Sequence, residues 1–170
     1  MKHAYLLTGG NLGNRAENLL RASRLIHENA GSILKQSNLY ETAAWGKTTQ
    51  PDYLNQALLI ETPLESNALL ECLLSIEKQL GRVRQEKYDA RCIDIDILFF
   101  ENEVIHSKDL IVPHPQLQNR RFVLIPLNEI APGFIHPVLH KSISTLLDEC
   151  ADPLNVKKYS LSNGIKQVDL

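Results

Sequence analysis

Two aspartates set inside an otherwise apolar alternating run constrain this chain more than any other feature. In the stretch Tyr88 to Phe100, Ile93, Ile95, Ile97 and Phe99 alternate with Cys92, Asp94, Asp96 and Leu98, the period of a β-strand. Asp94 and Asp96 therefore share one face, with backbones roughly 6.5 to 7 Å apart, close enough for both carboxylates to converge on one divalent ion or a pair. Asp fits a pleated, half-buried surface poorly and is depleted in strands. The placement calls for a cation, and hard oxygen ligands without an accompanying thiolate or imidazole cluster indicate Mg²⁺. An edge strand with an ordinary solvated face is the competing reading of the stretch alone.

The preceding loop, Gly81 to Arg91, adds Arg82, Arg84, Lys87 and Arg91 just before the two acids. Guanidinium forks match phosphate oxygens, and carboxylate-held Mg²⁺ bridges such oxygens. Loop and strand together describe a polyphosphate site, against the alternative of a solvated basic loop. A net charge of −2 with no basic run argues against nucleic acid as the partner and leaves small anionic ligands. At 170 residues, 44% hydrophobic and 22% charged, the chain reads as one globular domain over residues 1–150 with a polar tail over 151–170. Cys72, Cys92 and Cys150 are odd in number, widely spaced and without a Cys-x-x-Cys pair, as expected in a reducing cytosol. By alternation Cys92 falls on the Asp94/Asp96 face, as a free thiol beside the site or a small buried hydrophobe. The first residues are too short in apolar character for a signal peptide, and no later run approaches a membrane span.

In chain order, Tyr5 to Leu7 form a short strand ending in a glycine-rich turn, Thr8 to Gly13, which lacks the P-loop lysine and the full dinucleotide spacing. Asn14 and Glu17 start a helix that Gly31 stops. Residues 32–40 read as a second strand with Ile33 and Leu34 buried. A polar loop over 41–52 holds Trp45 and is long enough to bind a ligand. Tyr53 to Ile60 form a third strand with Tyr53, Asn55 and Ala57 on one face, where a ring and an amide can stack on and hydrogen-bond a heterocycle. A helix from about Ser66 to Gln79 ends at Gly81 and carries Glu77 on its last turn, a position that needs a cationic or ligand partner. His114 lies in the rigid Pro113-His114-Pro115 segment, suited to a fixed hydrogen bond to an anion. Asn119 to Phe122 open a further helix through Asn128 despite Pro126.

The order strand, helix, strand, strand, helix, strand predicts an α+β, ferredoxin-like antiparallel sheet with helices on one face, the aspartates on a central strand, and C-terminal additions. The chain closely resembles the 6-hydroxymethyl-7,8-dihydropterin pyrophosphokinase family from Tyr5 to about Pro132. The most specific block is Arg-x-x-Asp-x-Asp, here Arg91-Cys92-Ile93-Asp94-Ile95-Asp96. Supporting blocks are Gly9 to Gly13, Gln50 to Asn55, Glu77 with Gly81 to Arg84, and Pro113-His114 with Asn119-Arg120 and Phe122.

The resemblance implies a folate-pathway enzyme that moves pyrophosphate from ATP to hydroxymethyldihydropterin, with two Mg²⁺ ions on Asp94 and Asp96. It implies catalytic roles for Arg82, Arg91, Asp94 and Asp96, and nucleotide contacts from Glu77, Arg82, Arg84, Tyr88, Arg91 and His114. Thr42, Ala43, Trp45, Tyr53, Asn55, Arg120 and Phe122 match positions around the pterin, with Tyr53 and Phe122 as its stacking faces. The family is cytoplasmic and monomeric, without nucleic-acid or membrane partners. The chain departs from the family at Gly10 (usually serine), Ala43 (proline), Asp89 (glycine), Tyr88 (tryptophan in some members) and Trp45 (a smaller residue). Competing functions are another Mg²⁺-dependent nucleotidyltransferase or phosphohydrolase, and a non-catalytic ligand-binding module.

Overall fold

The structure, a computed structural model, describes residues 1–44, 50–82 and 91–160. Trp45, Arg84, Tyr88 and Asp89 lie outside the described residues. The elements run β1 (Lys2–Gly10), α1 (Arg15–Asn29), β2 (Ser32–Gln36), β3 (Tyr40–Thr42), β4 (Tyr53–Thr62), α2 (Ser66–Gln79) and β5 (Asp94–Phe100). A small hairpin of β6 (Ile105–His106) and β7 (Ile111–Val112) precedes α3 (Arg121–Ile130), α4 (Ile143–Glu149) and β8 (Val156–Lys158). The main sheet has the order β5-β1-β4-β3-β8, with β2 also on β4, and its strand pairs are antiparallel.

Helices cover both faces of this sheet, not one as expected. On one face Leu6, Leu54, Leu58 and Ile60 pack with Leu19 and Ile26 of α1 and Leu69, Leu73 and Ile76 of α2. On the other, Leu7, Ala57 and Leu59 meet Val123, Leu124 and Leu127 of α3 and Ile143 and Leu146 of α4. Residues Leu54 to Ile60 are buried without interruption, as a strand covered on both sides requires. The helix starts follow their local chemistry. The Asn14 side chain accepts from the Glu17 N–H at 3.3 Å, and the Ser142 hydroxyl accepts from the Thr145 N–H at 3.1 Å. Among the described residues, no helix is long and apolar enough to cross a membrane.

Four other expectations change, two for one physical reason. Opposite the consecutive residues Tyr5 and Leu6, β5 places Phe99 and Ile97, so Leu98 is an extra residue in its strand. This bulge reverses the facing beyond it: Ile95 and Ile97 join the α1/α2 core, whereas Phe99 joins the α3/α4 core. Leu34 is likewise extra, since Ile33 and Lys35 oppose the consecutive residues Ile60 and Leu59, and its side chain is 48% exposed. The expected strand over 32–40 is also divided at Ser37, whose hydroxyl accepts from the Ala57 N–H at 3.0 Å. Fourth, β5 closes one side of the main sheet, next to β1, instead of lying centrally. Its outer edge is met by His114, whose N–H donates to the Leu98 carbonyl at 3.0 Å.

Candidate active site

The pairing register brings the expected residues onto one sheet face. Gly9 of β1 stands opposite Asn55 of β4 on one side and Asp94 of β5 on the other, and Leu7 in the next row stands between Ala57 and Asp96. Paired residues share a face, here the one covered by α3 and α4. Asn55 and Asp94 are thus two strand spacings apart, roughly 9 to 10 Å at the backbone. Gly9 keeps the floor between them low. A Cβ there would lie 2.5 Å from Asn55 Oδ1, so any side chain would displace the amide. Gly10, where the family usually has serine, is equally confined, because a Cβ would sit 2.3 Å from the Cys92 carbonyl oxygen.

On the β4 side, Thr42 opposes Tyr53 and Tyr40 opposes Asn55. Thr42 and Asn55 are nearly fully buried, yet among the described residues Thr42 Oγ1 and Asn55 Nδ2 have no hydrogen-bond partner. Orphaned polar atoms at such depth are costly and mark a place where a ligand completes the bonding. Phe122 at the start of α3 packs against the same core, with the Arg120 guanidinium 5.8 Å from its ring centre. Ala43 is exposed just beyond β3.

On the β5 side, Asp94 is gripped through both oxygens, by Arg82 at 2.6 Å and Arg91 at 2.5 Å. Arg82 also pairs with Glu77, whose carboxylate accepts from the outward-facing Ile95 N–H at 2.7 Å. That bond explains an acid at a helix C-terminus, for Glu77 is 2% exposed and plugs the edge of β5 while holding Arg82. Burial, then the charge of Asp94, raises its carboxyl above the usual range, against the pull of Arg82 and the Ile95 N–H. Asp96 keeps some solvent contact, but burial followed by the charges of Asp94 and Glu77 pushes it up to about 7, despite Arg91 and Arg120. His114 moves the other way, to about 4, through burial and then the nearby Arg120 charge. Its Nδ1 accepts from the Gln116 N–H at 3.2 Å, so the ring hydrogen is on Nε2, ready to donate to an anion.

Three carboxylates, Glu77, Asp94 and Asp96, gather here, with burial and their mutual charge disfavouring ionisation of Glu77 and Asp96; hard oxygen donors of this kind suit Mg²⁺. Among the described residues no group of three or more His, Cys, Asp or Glu side chains is placed to hold a metal. Two carboxylates that leave remaining positions to substrate oxygens and water are how Mg²⁺ is commonly held.

Sequence reasoning missed Asn11. Its Oδ1 accepts from the Arg91 N–H at 2.9 Å and its Nδ2 donates to the Pro51 carbonyl at 3.1 Å, tying the arginine side of the site to the loop side. The signal was present in the glycine-rich block, which does not form a turn from Thr8 on: β1 continues through Gly10. Cys92 also differs from its expected place. It precedes β5, so alternation does not govern it, and its thiol donates to the Leu80 carbonyl at 3.5 Å beside the α1/α2 core.

The model of the 7,8-dihydro-6-hydroxymethylpterin-pyrophosphokinase (HPPK) family matches residues 5–132. The chain belongs to this family. The 2-amino-4-hydroxy-6-hydroxymethyldihydropteridine pyrophosphokinase of Aquifex aeolicus is 40% identical over 149 residues, covering 88% of this chain and 92% of that protein. The Bacillus subtilis protein of the same name is 43% identical over 128 residues, covering 75% and 77%. Folic acid synthesis protein fol1 of Pneumocystis carinii is 38% identical across 87% of this chain, which spans 20% of that protein. Among solved structures, wild-type HPPK-DHPS of Plasmodium falciparum with SDX-DHP superposes with a TM-score of 0.73 at 19% identity, over 88% of this chain and 43% of that one. That likeness is one of fold. The HPPK match ends at residue 132, so α4 and β8 lie beyond it.

Proposed function

We infer that this HPPK-family chain transfers a pyrophosphoryl group from ATP to the hydroxymethyl oxygen of 6-hydroxymethyl-7,8-dihydropterin, a step of folate synthesis. The acceptor oxygen bonds to the β-phosphorus, the bond from that phosphorus to the α-phosphate oxygen breaks, and AMP leaves. The observation that carries the reading is the row Asn55, Gly9, Asp94, which sets buried polar atoms without a described partner beside a carboxylate and arginine cluster on one continuous face.

Each side chain has a role in this reading. Thr42 and Asn55 bond the pterin edge while Tyr53 and Phe122 enclose its ring, with Ala43 at its rim; for Trp45 the family resemblance alone supports a substrate contact. Asp94 and Asp96 would hold two Mg²⁺ ions, which when bound would neutralise phosphate charge and lower the acceptor hydroxyl's pKa. Arg82 and Arg91 exchange the Asp94 carboxylate for phosphate oxygens as the nucleotide enters, and Glu77 keeps Arg82 within reach. His114 donates from Nε2 to a phosphate oxygen and Arg120 adds positive charge beside the reactants; for Arg84 and Tyr88 the family resemblance alone supports a nucleotide contact. Catalysis is then mainly positioning and neutralisation, as phosphoryl transfer requires.

The spatial order β5-β1-β4-β2 favours the ferredoxin-like description, with residues 1–150 as one catalytic domain. Free Cys72, Cys92 and Cys150 are compatible with a cytoplasmic monomer. The test is product analysis with ATP and Mg²⁺, with and without the pterin. The reading expects AMP and pterin diphosphate in equal amounts, formed only with both substrates; inorganic phosphate or free diphosphate as the main product would overturn it.

A further inference from the structure

Behind the pocket wall, on the opposite face of the sheet, Arg15 at the start of α1 joins two points of the chain that are close in space and separated in sequence. Its Nη2 pairs with Glu41 Oε2 at 2.7 Å, and its Nη1 donates to the Asp52 carbonyl oxygen at 2.7 Å. Glu41 immediately precedes Thr42, and Asp52 immediately precedes Tyr53, the pair that stands opposite across β3 and β4. The same guanidinium lies 5.8 Å from the ring centre of Tyr159, and the three residues Val156–Lys158 before that tyrosine pair with β3 along its other edge, Val156 opposite Thr42.

Three independent contacts therefore converge on one side chain that faces away from the pocket. Glu41 and Leu54 are paired and alternate with Thr42 and Tyr53, so the clasp sits on the α1 side while Thr42 and Tyr53 face α3. An ion pair this exposed, 23% for Arg15 and 31% for Glu41, contributes little to stability. Its two-pronged geometry does something else: a fork donating to both partners fixes the spacing between them, which a lysine point charge does not.

We propose that Arg15 is a positioning residue for the pterin substrate, a rear clasp that sets Thr42 against Tyr53, with Tyr159 and β8 as its backing. It touches neither reactant. The proposal rests on Thr42 and Tyr53 lining the pterin pocket, and it gives residues 156–159 a role in acceptor binding.

The experiment is steady-state kinetics of Arg15→Ala, Arg15→Lys and Tyr159→Ala with both substrates varied, alongside thermal melting. Arg15→Ala is expected to raise KM for the pterin about tenfold while kcat and KM for ATP stay within about twofold of wild type, with little change in Tm. Arg15→Lys, which retains the Glu41 pair and loses the second prong, recovers only part of that rise, and Tyr159→Ala shifts KM for the pterin in the same direction by less. An unchanged KM for the pterin in Arg15→Ala, or a loss confined to apparent kcat that tracks the folded fraction, overturns the proposal. Wild type anchors the comparison: pterin-dependent AMP formation there with a silent Arg15→Ala sinks the clasp alone, whereas its absence in wild type sinks the functional reading.

Discussion

The two halves of β5 are opposites. Before the bulge, Asp94 and Asp96 stand among Glu77, Arg82 and Arg91, and Asp96 is held at about 7 by burial and like charge. After it, Phe99 and Phe100 are fully buried, and Phe99 packs on Phe134 at 4.7 Å, edge-on to His136 at 5.3 Å and to Tyr5 at 6.1 Å between ring centres. The aromatic half lowers the free energy of the fold by itself through buried area and ring contacts. In the charged half, burial works against ionised acids, and the proposed cations and phosphates would relieve that cost. One strand of seven residues thus anchors the fold at one end and gathers mutually repelling carboxylates at the other.

Substitutions in the two halves should separate activity from stability. Asp94→Ala is expected to lower turnover by about 10³-fold or more, since it removes a proposed metal ligand and the partner of two arginines. A melting curve and single-turnover AMP formation on the same sample check that, and near-normal Mg²⁺-dependent turnover would break the contrast. Phe99→Ala should cost about 3 to 5 kcal/mol of stability, a fall in Tm of roughly 10 °C, with turnover per folded molecule preserved. Arg82→Ala is expected to slow turnover by about 10²-fold, read in kcat with saturating ATP. Between the two sites, Gly9→Ala should raise KM for the pterin by about tenfold with kcat less affected, because the new methyl displaces Asn55.

What the sequence made legible follows the same division. Alternation around Asp94 and Asp96 placed both on one face because no irregularity intervenes between residues 93 and 97, and the capping residues Asn14 and Glu17 located α1 correctly. Leu98 and Leu34 misled because a bulge adds one residue without any compositional trace when the neighbours are all apolar. Position within the sheet was closed to local pattern, since an edge strand capped by Glu77 and His114 is as apolar as a central one. Asn11 and Arg15 were overlooked because their work lies in contacts 40 and 37 residues away, to Pro51 and Asp52. Helices on both faces were foreshadowed by the unbroken apolar run Ala57 to Ile60.

The most direct test of the repelling carboxylates on β5 is the melting temperature of metal-free Asp96→Asn beside wild type, with turnover measured in Mg²⁺. In wild type the folded-state value of about 7 lies above the ordinary 3.8, so the group's contribution to stability is full below the ordinary value and is lost as pH rises through about 7. Asparagine has no such loss. In chelator at pH 8 the variant should therefore melt higher than wild type by roughly 5 °C, equivalent to about 2 kcal/mol, with the gap narrowing towards pH 5, while turnover falls by orders of magnitude. A variant that melts lower than wild type at pH 8, or that keeps its turnover, would contradict the account.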